Sequence, residues 1–263
     1  ALSAGKHVLV MKPLATTVAD AEALVHLAES KGLLLAVDHT FVFTGAVREM
    51  KRLIHAGEIG DLYYFDSVRI NLGLIQTDVN VVWDLAPHDV SIMDYLLDQE
   101  PTSVSAQAAC HGGSPTENIA YVTVRYGDSL LGHVHVNWLA PAKVRRTIVG
   151  GSKRMIVYDD MEPSEKLKVY DKGVSISPPT AESAYQLMIS YRSGDMHAPK
   201  LETQEALAVE AENLVQAMLG KEALISDGAA GVRVVRILEA AQRSIAQGGG
   251  PIALAGSRVA LEV

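Results

Sequence analysis

The chain contains 263 residues, of which 48% are hydrophobic and 21% are charged, and its formal net charge is −8. This length and composition are typical of a soluble globular protein with two moderate domains, and no apolar run approaches the roughly 20 residues needed to cross a bilayer. The acidic balance, without a basic stripe, excludes the charge pattern of a nucleic-acid-binding protein, since phosphates are bound by clustered lysine and arginine.

The start of the chain, ALSAGKHVLV, lacks a methionine and reaches a strand of the buried type within a few residues. Domains rarely begin in this way, so we expect an N-terminal truncation. The start shows no charged-then-apolar signal pattern, and the single cysteine, Cys110, has no partner for an internal disulfide. We therefore predict a cytoplasmic protein in which Cys110 is a small buried residue.

The pattern of residues 1–38 is that of a strand, a helix and a second strand. Val8 to Met11 is a short apolar strand, Thr17 caps a helix with helically spaced apolar residues, and Leu33 to Val37 is a continuous apolar run. This order favours a parallel β–α–β unit that is buried on both faces. We therefore assign residues 1–38 to the remnant of a Rossmann dinucleotide-binding domain, the C-terminal part of a doubly wound parallel sheet.

Residues 39–263 have a different pattern of predicted elements and are assigned to an α+β domain for substrate binding and oligomerisation. After a helix from Thr44 to Ala56, strand-like segments joined by short turns predict a large, open, mainly antiparallel sheet. The predicted strands are Leu62 to Leu72, Thr102 to His111, Asn118 to Tyr126, Ser129 to Leu139, Val144 to Gly150, Arg154 to Tyr158 and Leu167 to Tyr170. Two amphipathic helices, Glu205 to Leu219 and Ala229 to Ala246, close the chain.

The strand from Ser129 to Leu139 has two different faces. Strand alternation places Leu131, His133, His135 and Asn137 on a half-polar face and Val134, Val136 and Trp138 on an apolar one. Helices can cover one side of the sheet. We expect the other side to meet a second subunit, in a homodimer or homotetramer, because a broad, partly apolar face invites association.

Polar residues follow each strand of the N-terminal unit at the edge where doubly wound sheets bind ligands. Lys12 and Pro13 end the first strand, and Asp38 and His39 end the second. A lysine at this edge can hold an oxygen of a substrate or cofactor. The alternative is a lysine that only carries its charge to solvent.

An acid and a histidine stand four residues apart in the segment WDLAPHDVSIMDYLL. If a helix begins near Pro87, Asp84 and His88 project from neighbouring positions around its first turn. Histidine titrates near neutrality and suits a general acid or base. The alternative is that Asp84 caps the helix and His88 is a satisfied, partly buried side chain.

Two sets of residues could be read as metal ligands, and we expect neither to be a metal site. Asp38 and His39 could join Asp84, His88 and Asp89, but no cysteine accompanies them and such pairs are common. The pair His133 and His135 fits a polar sheet face or a subunit contact better.

Three segments together resemble the Gfo/Idh/MocA family of nicotinamide-dependent oxidoreductases, and the resemblance covers nearly the whole chain. AGKHVLVMKPLA is similar to the family's lysine–proline segment, WDLAPHDVSIMDYLL to its acid–histidine helix, and LISDGAAGVRVVRILEAA to its last helix, in the same order. The resemblance implies a Rossmann domain followed by an α/β domain, with hydride exchange between NAD or NADP and a hydroxyl-bearing carbon of a sugar or polyol.

The resemblance also implies roles for individual residues. Lys12, with Pro13, would lie beside the nicotinamide and the substrate hydroxyl, Asp84 would contact the substrate, and His88 would accept the proton as hydride leaves. Removing hydride from a carbinol requires a base for its proton, and an ammonium stabilises the developing oxyanion. Arg69, Asn71 and Tyr191 are further predicted substrate contacts, with a plain sheet-surface role as the alternative for each.

The chain departs from the family pattern in two places. Met11 stands where the family usually has glutamate, and no G-x-G-x-x-G follows an opening strand, so the phosphate-binding turn would precede Ala1. The residue that distinguishes NAD from NADP would precede it too.

Four segments resemble the family branch that contains 3-dehydrogenases of UDP-N-acetyl-hexosamines: DHTFVFTGAVREMKRLI, VRINLG, DVNVVWDLAPHD and YRSGDMHAPKLE. The substrate expected from this resemblance is a nucleotide-linked sugar. Inositol or a simple sugar is the near alternative. Glycoside hydrolysis with tightly bound NAD and non-catalytic sugar binding are the other classes that we retain.

Overall fold

The computed structural model describes residues 1–177 and 188–254. Its helices are α1 (Val18–Ser30), α2 (Gly45–His55), α3 (Val81–Leu97), α4 (Ala206–Met218) and α5 (Gly228–Ala246), with short 3-10 helices at Leu2–Ala4 and Thr40–Phe43. Its strands are β1 (Val8–Met11), β2 (Leu35–Asp38), β3 (Leu62–Leu72), β4 (Ser103–Ala109), β5 (Ile119–Tyr126), β6 (Leu130–Asn137), β7 (Leu139–Gly151), β8 (Met155–Asp159), β9 (Leu167–Ser177), β10 (Met188–His197) and β11 (Ile252–Ala253).

The N-terminal unit is a parallel β–α–β unit, as the sequence predicts. β1 pairs with β2 in parallel, with Val8 opposite Leu35 and Met11 opposite Asp38. The intervening helix α1 begins at a Thr17 cap that accepts a hydrogen bond from the backbone N–H of Asp20. Both strands end at the same edge, so Lys12 and His39 follow neighbouring strand ends.

The remaining strands form one nine-stranded sheet in the order β10-β9-β8-β7-β3-β6-β5-β4-β11. Every neighbouring pair is antiparallel except β3 and β6, which are parallel. The predicted fold class, a Rossmann-type parallel unit plus an α+β domain with a mainly antiparallel sheet, is therefore confirmed.

The core of the larger unit lies between one face of this sheet and the helices α2, α3 and α5. The alternation predicted for β6 holds, since Val134 and Val136 are fully buried while Leu131 on the opposite face is exposed. That opposite face also exposes Tyr121 of β5 and Tyr64 of β3.

The last helix joins the two units, which the boundary drawn after residue 38 does not express. Val232 and Val235 of α5 pack into the small core formed by residues 1–37, while Val234 and Ile237 of the same helix pack into the large core. Gly231 allows the close approach to β2, because an added Cβ would lie 2.7 Å from Val37 Cγ2. The division at residue 38 stays a prediction, and α5 contributes to both sides of it.

Two local predictions are wrong, and two strands were not predicted. Helix α3 begins at Val81, so Pro87 lies inside the helix and not in its first turn. Cys110 is exposed, because β4 ends one residue before it. The segment around Tyr191 forms strand β10, which pairs with an extended β9. The two-residue strand β11 carried no period that could predict it.

Within the residues that the structure describes, none of the helices combines the length and apolar character that a membrane span requires.

Candidate active site

A cleft of about 650 Å³ opens where the carboxyl end of β1 meets the start of α3. Lys12 and Pro13 line it from β1, and Trp83 and Asp84 line it from α3. Helix α5 supplies further polar lining residues, Glu239, Gln242 and Arg243. The cleft is therefore bounded by both units and by the helix that joins them.

The start of α3 is fixed by a single capping side chain. The Asn80 Oδ1 atom accepts hydrogen bonds from the backbone N–H groups of Val82 and Trp83, at 3.1 and 3.2 Å. The Asn80 amide nitrogen donates to Glu117 and Gln242, at 3.0 and 2.7 Å. An asparagine cap satisfies N–H groups that lack intrahelical partners, so it sets where the helix begins.

Lys12 and Asp84 meet in the cleft. The Lys12 Nζ atom donates to the backbone carbonyl of Asp84 at 2.5 Å and lies 3.6 Å from the carboxylate Oδ1. Pro87, inside α3, has no N–H for the carbonyl of Trp83, and an interior proline opens the helix locally.

The Lys12 side chain is largely withdrawn from solvent, with 20% of its surface exposed, and that of Asp84 keeps 30%. Burial lowers the pKa of Lys12 from its ordinary value, and the carboxylate of Asp84 opposes this shift. The sequence predicted that these two residues belong to one site, and the structure places them in contact.

His88 lies one turn beyond Asp84 on α3 and is mostly buried, behind the cleft lining. Its Nδ1 atom is buried and has no hydrogen-bond partner. Its ring packs edge-on against Phe41 with 5.1 Å between ring centroids. Burial, followed by the positive charges of Arg69 and Lys12, lowers the pKa of His88 to about 2. The imidazole is therefore neutral at physiological pH.

Arg69 faces this region from β3 but is held by other residues. Its guanidinium donates to Asp89 Oδ2 at 2.5 Å, and Ser67 donates to Asp89 Oδ1 at 2.5 Å. The guanidinium carbon lies 4.4 Å from the centre of the Phe41 ring. Arg69 and Asp89 are both buried, so this predicted substrate contact sits in the structure as half of a buried ion pair.

Arg145 is a residue of this region that the sequence reading missed. It is the register partner of Arg69 across β3 and β7, and its guanidinium carbon lies 5.7 Å from the centre of the Phe41 ring. Its Nε atom is buried without a hydrogen-bond partner, although its Nη1 donates to Asp160 at 3.2 Å. Cross-strand register brings Arg145 here, and nothing local in the sequence signals it.

The other predicted site residues are spread over the sheet. Asn71 lies near the end of β3. A Cβ added at Gly73 would lie 3.0 Å from the Asn71 Nδ2 atom. Tyr191 is exposed on β10, four strands away from β3 in the sheet. At about 4.8 Å per strand this is roughly 19 Å. Tyr191 is not among the residues that line the cleft, whereas Pro13 is.

Two acidic residues that the sequence offered as metal ligands, Asp38 and Asp89, have other partners. Asp38 accepts from Thr40, through its N–H and its hydroxyl, and Asp89 pairs with Arg69. Among residues 1–177 and 188–254, no group of three or more histidine, cysteine, aspartate or glutamate side chains is placed to hold a metal ion.

The residues present fit one end of a nicotinamide dinucleotide. Lys12 and Pro13 line the cleft at the carboxyl end of a parallel strand, where they would hold the nicotinamide end. Within residues 1–39, which the structure describes completely, the left-handed glycines are Gly5 and Gly32. Both precede strands, whereas a phosphate cradle follows one. This stretch therefore offers contacts for the reactive ring and none for the pyrophosphate.

Two family models match separate parts of the chain. Residues 1–39 match the oxidoreductase family with an NAD-binding Rossmann fold, and residues 47–157 match the GFO/IDH/MocA C-terminal domain. Among curated proteins, the uncharacterised oxidoreductase YdgJ of Escherichia coli (strain K12) is 30% identical over 185 residues, 63% of this chain and 50% of YdgJ. The chain thus spans about half the length of that relative.

Solved structures of similar fold agree with these matches. UDP-N-acetylglucosamine 3-dehydrogenase from Acidithiobacillus ferrooxidans aligns with a TM-score of 0.76 at 23% identity, over 93% of this chain and 73% of that one. An inositol dehydrogenase homologue from Azotobacter vinelandii, solved with NADH and myo-inositol, aligns with a TM-score of 0.76 at 20% identity, over 97% and 73%. At 23% and 20% identity, the structural similarity shows that this chain shares the fold of these two proteins.

The two matches lie in the family's order and account for both the parallel unit and the sheet domain, and the chain therefore belongs to the Gfo/Idh/MocA family of oxidoreductases.

Proposed function

We propose that the protein containing this chain transfers hydride between NAD(P) and a hydroxyl-bearing carbon of a sugar. The observation that carries the proposal is the contact between Lys12 and Asp84, at the carboxyl end of β1, with a neutral His88 one helical turn away. An ammonium, a carboxylate and an imidazole base are the groups that oxidation of a carbinol requires.

The three side chains have separate tasks in this proposal. The Asp84 carboxylate accepts a hydrogen bond from a substrate hydroxyl and orients the ring. The Lys12 ammonium stabilises negative charge on the reacting oxygen, and the His88 imidazole takes its proton. Residues four apart on a helix are neighbours, so His88 is one turn from Asp84, and the proposal requires the bound hydroxyl to reach His88 from the cleft. Lys12 and Pro13 would hold the nicotinamide, which would supply the hydride acceptor.

The substrate that we favour within this class is a nucleotide-linked sugar of the UDP-N-acetyl-hexosamine type. Support comes from the sequence segments that resemble such dehydrogenases and from the similar fold of the Acidithiobacillus enzyme. Inositol or a simple sugar is the alternative, supported by the similar fold of the homologue solved with myo-inositol.

The test is a set of variants of the complete protein, assayed with UDP-N-acetylglucosamine and myo-inositol for NADH or NADPH formation. We expect His88→Ala to lower turnover by roughly two orders of magnitude or more with the fold intact, as for loss of a general base. His26→Ala is the matched control, since its side chain is 80% exposed on α1. Normal turnover of His88→Ala would remove the proposed base, and glycoside cleavage without net NADH would indicate the hydrolase class.

We also propose that the open sheet face binds a second copy of the chain. The exposed Tyr64, Tyr121 and Leu131 on that face supply apolar contact area. Light scattering after gel filtration is expected to give a dimer or tetramer, and Leu131→Glu is expected to shift it toward the monomer. A monomer in the unchanged protein would contradict the proposal.

A further inference from the structure

Trp138 is buried directly behind the cleft. It lies between β6 and β7 with 1% of its surface exposed. Its one polar side-chain atom, the indole Nε1, donates a hydrogen bond to Asp84 Oδ2 at 3.0 Å. An indole N–H is a donor only, so this tryptophan can bind the carboxylate but cannot exchange a proton with it.

The Trp138 backbone is fixed on both sides. Its N–H donates to the carbonyl of Asn118 at 3.0 Å, and its carbonyl accepts from the N–H of Gly73 at 2.9 Å. Gly73 also lies against the indole ring, because an added Cβ would be 3.0 Å from Trp138 Cδ1, the carbon bonded to Nε1. The indole N–H therefore points at Asp84 from a position set by two neighbouring strands and a glycine.

The two oxygens of the Asp84 carboxylate have different surroundings. Oδ2 is held by Trp138, whereas Oδ1 lies 3.6 Å from Lys12 Nζ, whose short hydrogen bond goes to the backbone carbonyl. A carboxylate has about four acceptor sites, so Oδ1 keeps capacity for a further donor. Without Trp138, rotation about the side-chain bonds could exchange the two oxygens.

We propose that Trp138 is a positioning residue that holds Asp84 so that Oδ1 faces the cleft and accepts a hydrogen bond from a substrate hydroxyl. This inference rests on the proposed function and adds the reason why the carboxylate has one orientation. A side chain that fixes a substrate contact affects the binding of hydroxyl-bearing substrates more than the proton transfer at His88.

The experiment is a double-mutant cycle on the complete protein, with Trp138→Phe, Asp84→Ala and the double variant. Phenylalanine keeps a buried aromatic ring and removes the N–H. We expect Trp138→Phe to raise KM for the sugar about tenfold and to change kcat less than about threefold, because a hydrogen bond to a charged group is lost. In the Asp84→Ala background, the same change is expected to alter KM less than about twofold.

A second readout does not depend on activity. In protein labelled with ¹⁵N-tryptophan, the indole N–H resonance assigned through Trp138→Phe is expected to shift upfield in Asp84→Ala. Tyr126→Phe is the matched control, since this buried ring in β5 carries a hydroxyl without a hydrogen-bond partner and lies outside the cleft lining. It is expected to leave both KM and the resonance unchanged.

The outcomes separate this inference from the proposed function. Equal effects of Trp138→Phe with and without Asp84, or an unmoved indole resonance, would overturn the positioning role while leaving the oxidoreductase proposal intact. Full activity of both Asp84→Ala and His88→Ala would overturn the proposed function. The indole resonance would then test only the hydrogen bond between Trp138 and Asp84.

Discussion

Replacing His88 by glutamine should change how the stability of the protein depends on pH. Burial and nearby cations lower the pKa of His88 from 6.5 to about 2, so the folded state keeps this ring neutral. Below pH 6.5 the unfolded chain binds a proton on this histidine and the folded chain does not. Stability is therefore lost as pH falls from 6.5 toward 2, and the unfolding free energy from this one group falls by about 1.4 kcal/mol per pH unit.

Between pH 7 and pH 5 the proton linkage of His88 amounts to about 2 kcal/mol. Other groups also titrate in this pH range, and each adds to or opposes the loss of unfolding free energy. Burial lowers the pKa of His39 to about 4, which adds to the loss, whereas burial raises the pKa of Glu210 to about 7, which opposes it. Subtracting the pH dependence of His88→Gln from that of the unchanged protein cancels these contributions, because both proteins contain them.

The measurement is urea unfolding of the complete protein followed by circular dichroism at pH 7, 6 and 5. We expect the unchanged protein to lose about 2 kcal/mol more than His88→Gln over this range. His26→Gln, at an exposed site on α1, is the control and should parallel the unchanged protein. Parallel curves for His88→Gln would refute the conclusion that the imidazole is buried and neutral.

Three further changes test the surroundings of the cleft by urea denaturation. Arg69→Met should lower the unfolding free energy by about 3–5 kcal/mol because it leaves the Asp89 carboxylate buried without its ion-pair partner. The double variant with Asp89→Leu should recover much of this loss. A loss below about 1 kcal/mol for the single variant would contradict a buried ion pair. Asn80→Ala should cost about 1–2 kcal/mol through the lost helix cap, and a midpoint equal to that of the unchanged protein would show that α3 does not depend on it. Gly231→Ala should destabilise by about 1–3 kcal/mol because its Cβ would meet Val37 at 2.7 Å, and a stabilised variant would mean that α5 packs less closely than described.

Local periodicity was sufficient to predict most of the secondary structure. The strand alternation of LYYFDSVRINL predicts β3 with both of its ends correct, and the Thr17 and Thr44 caps mark the starts of α1 and α2. These features depend on residues within a few positions of one another. The extent of β9 and the existence of β10 were not predictable in this way, because their pairing joins segments that are distant in the sequence.

The residues of the candidate site also divide into those that local sequence predicts and those that only the tertiary structure brings together. Lys12 and the Asp84–His88 pair could be named from a strand end and from helical spacing. The start of α3 was misplaced because Pro87 is a common first-turn residue, whereas in the structure Asn80 caps the helix. Trp138 and Arg145 gave no local signal, since register across three strands brings them beside Asp84 and Phe41.

By itself, the sequence determined the order of the helices and of most strands, the parallel N-terminal unit and the residue types available for chemistry, because periodicity, caps and motifs are short-range properties. The tertiary structure alone decided that Lys12 contacts Asp84, that His88 is held neutral and that Trp138 fixes one carboxylate oxygen. The physical reason is that burial and hydrogen-bond direction depend on which distant segments pack together, and no local pattern encodes those distances.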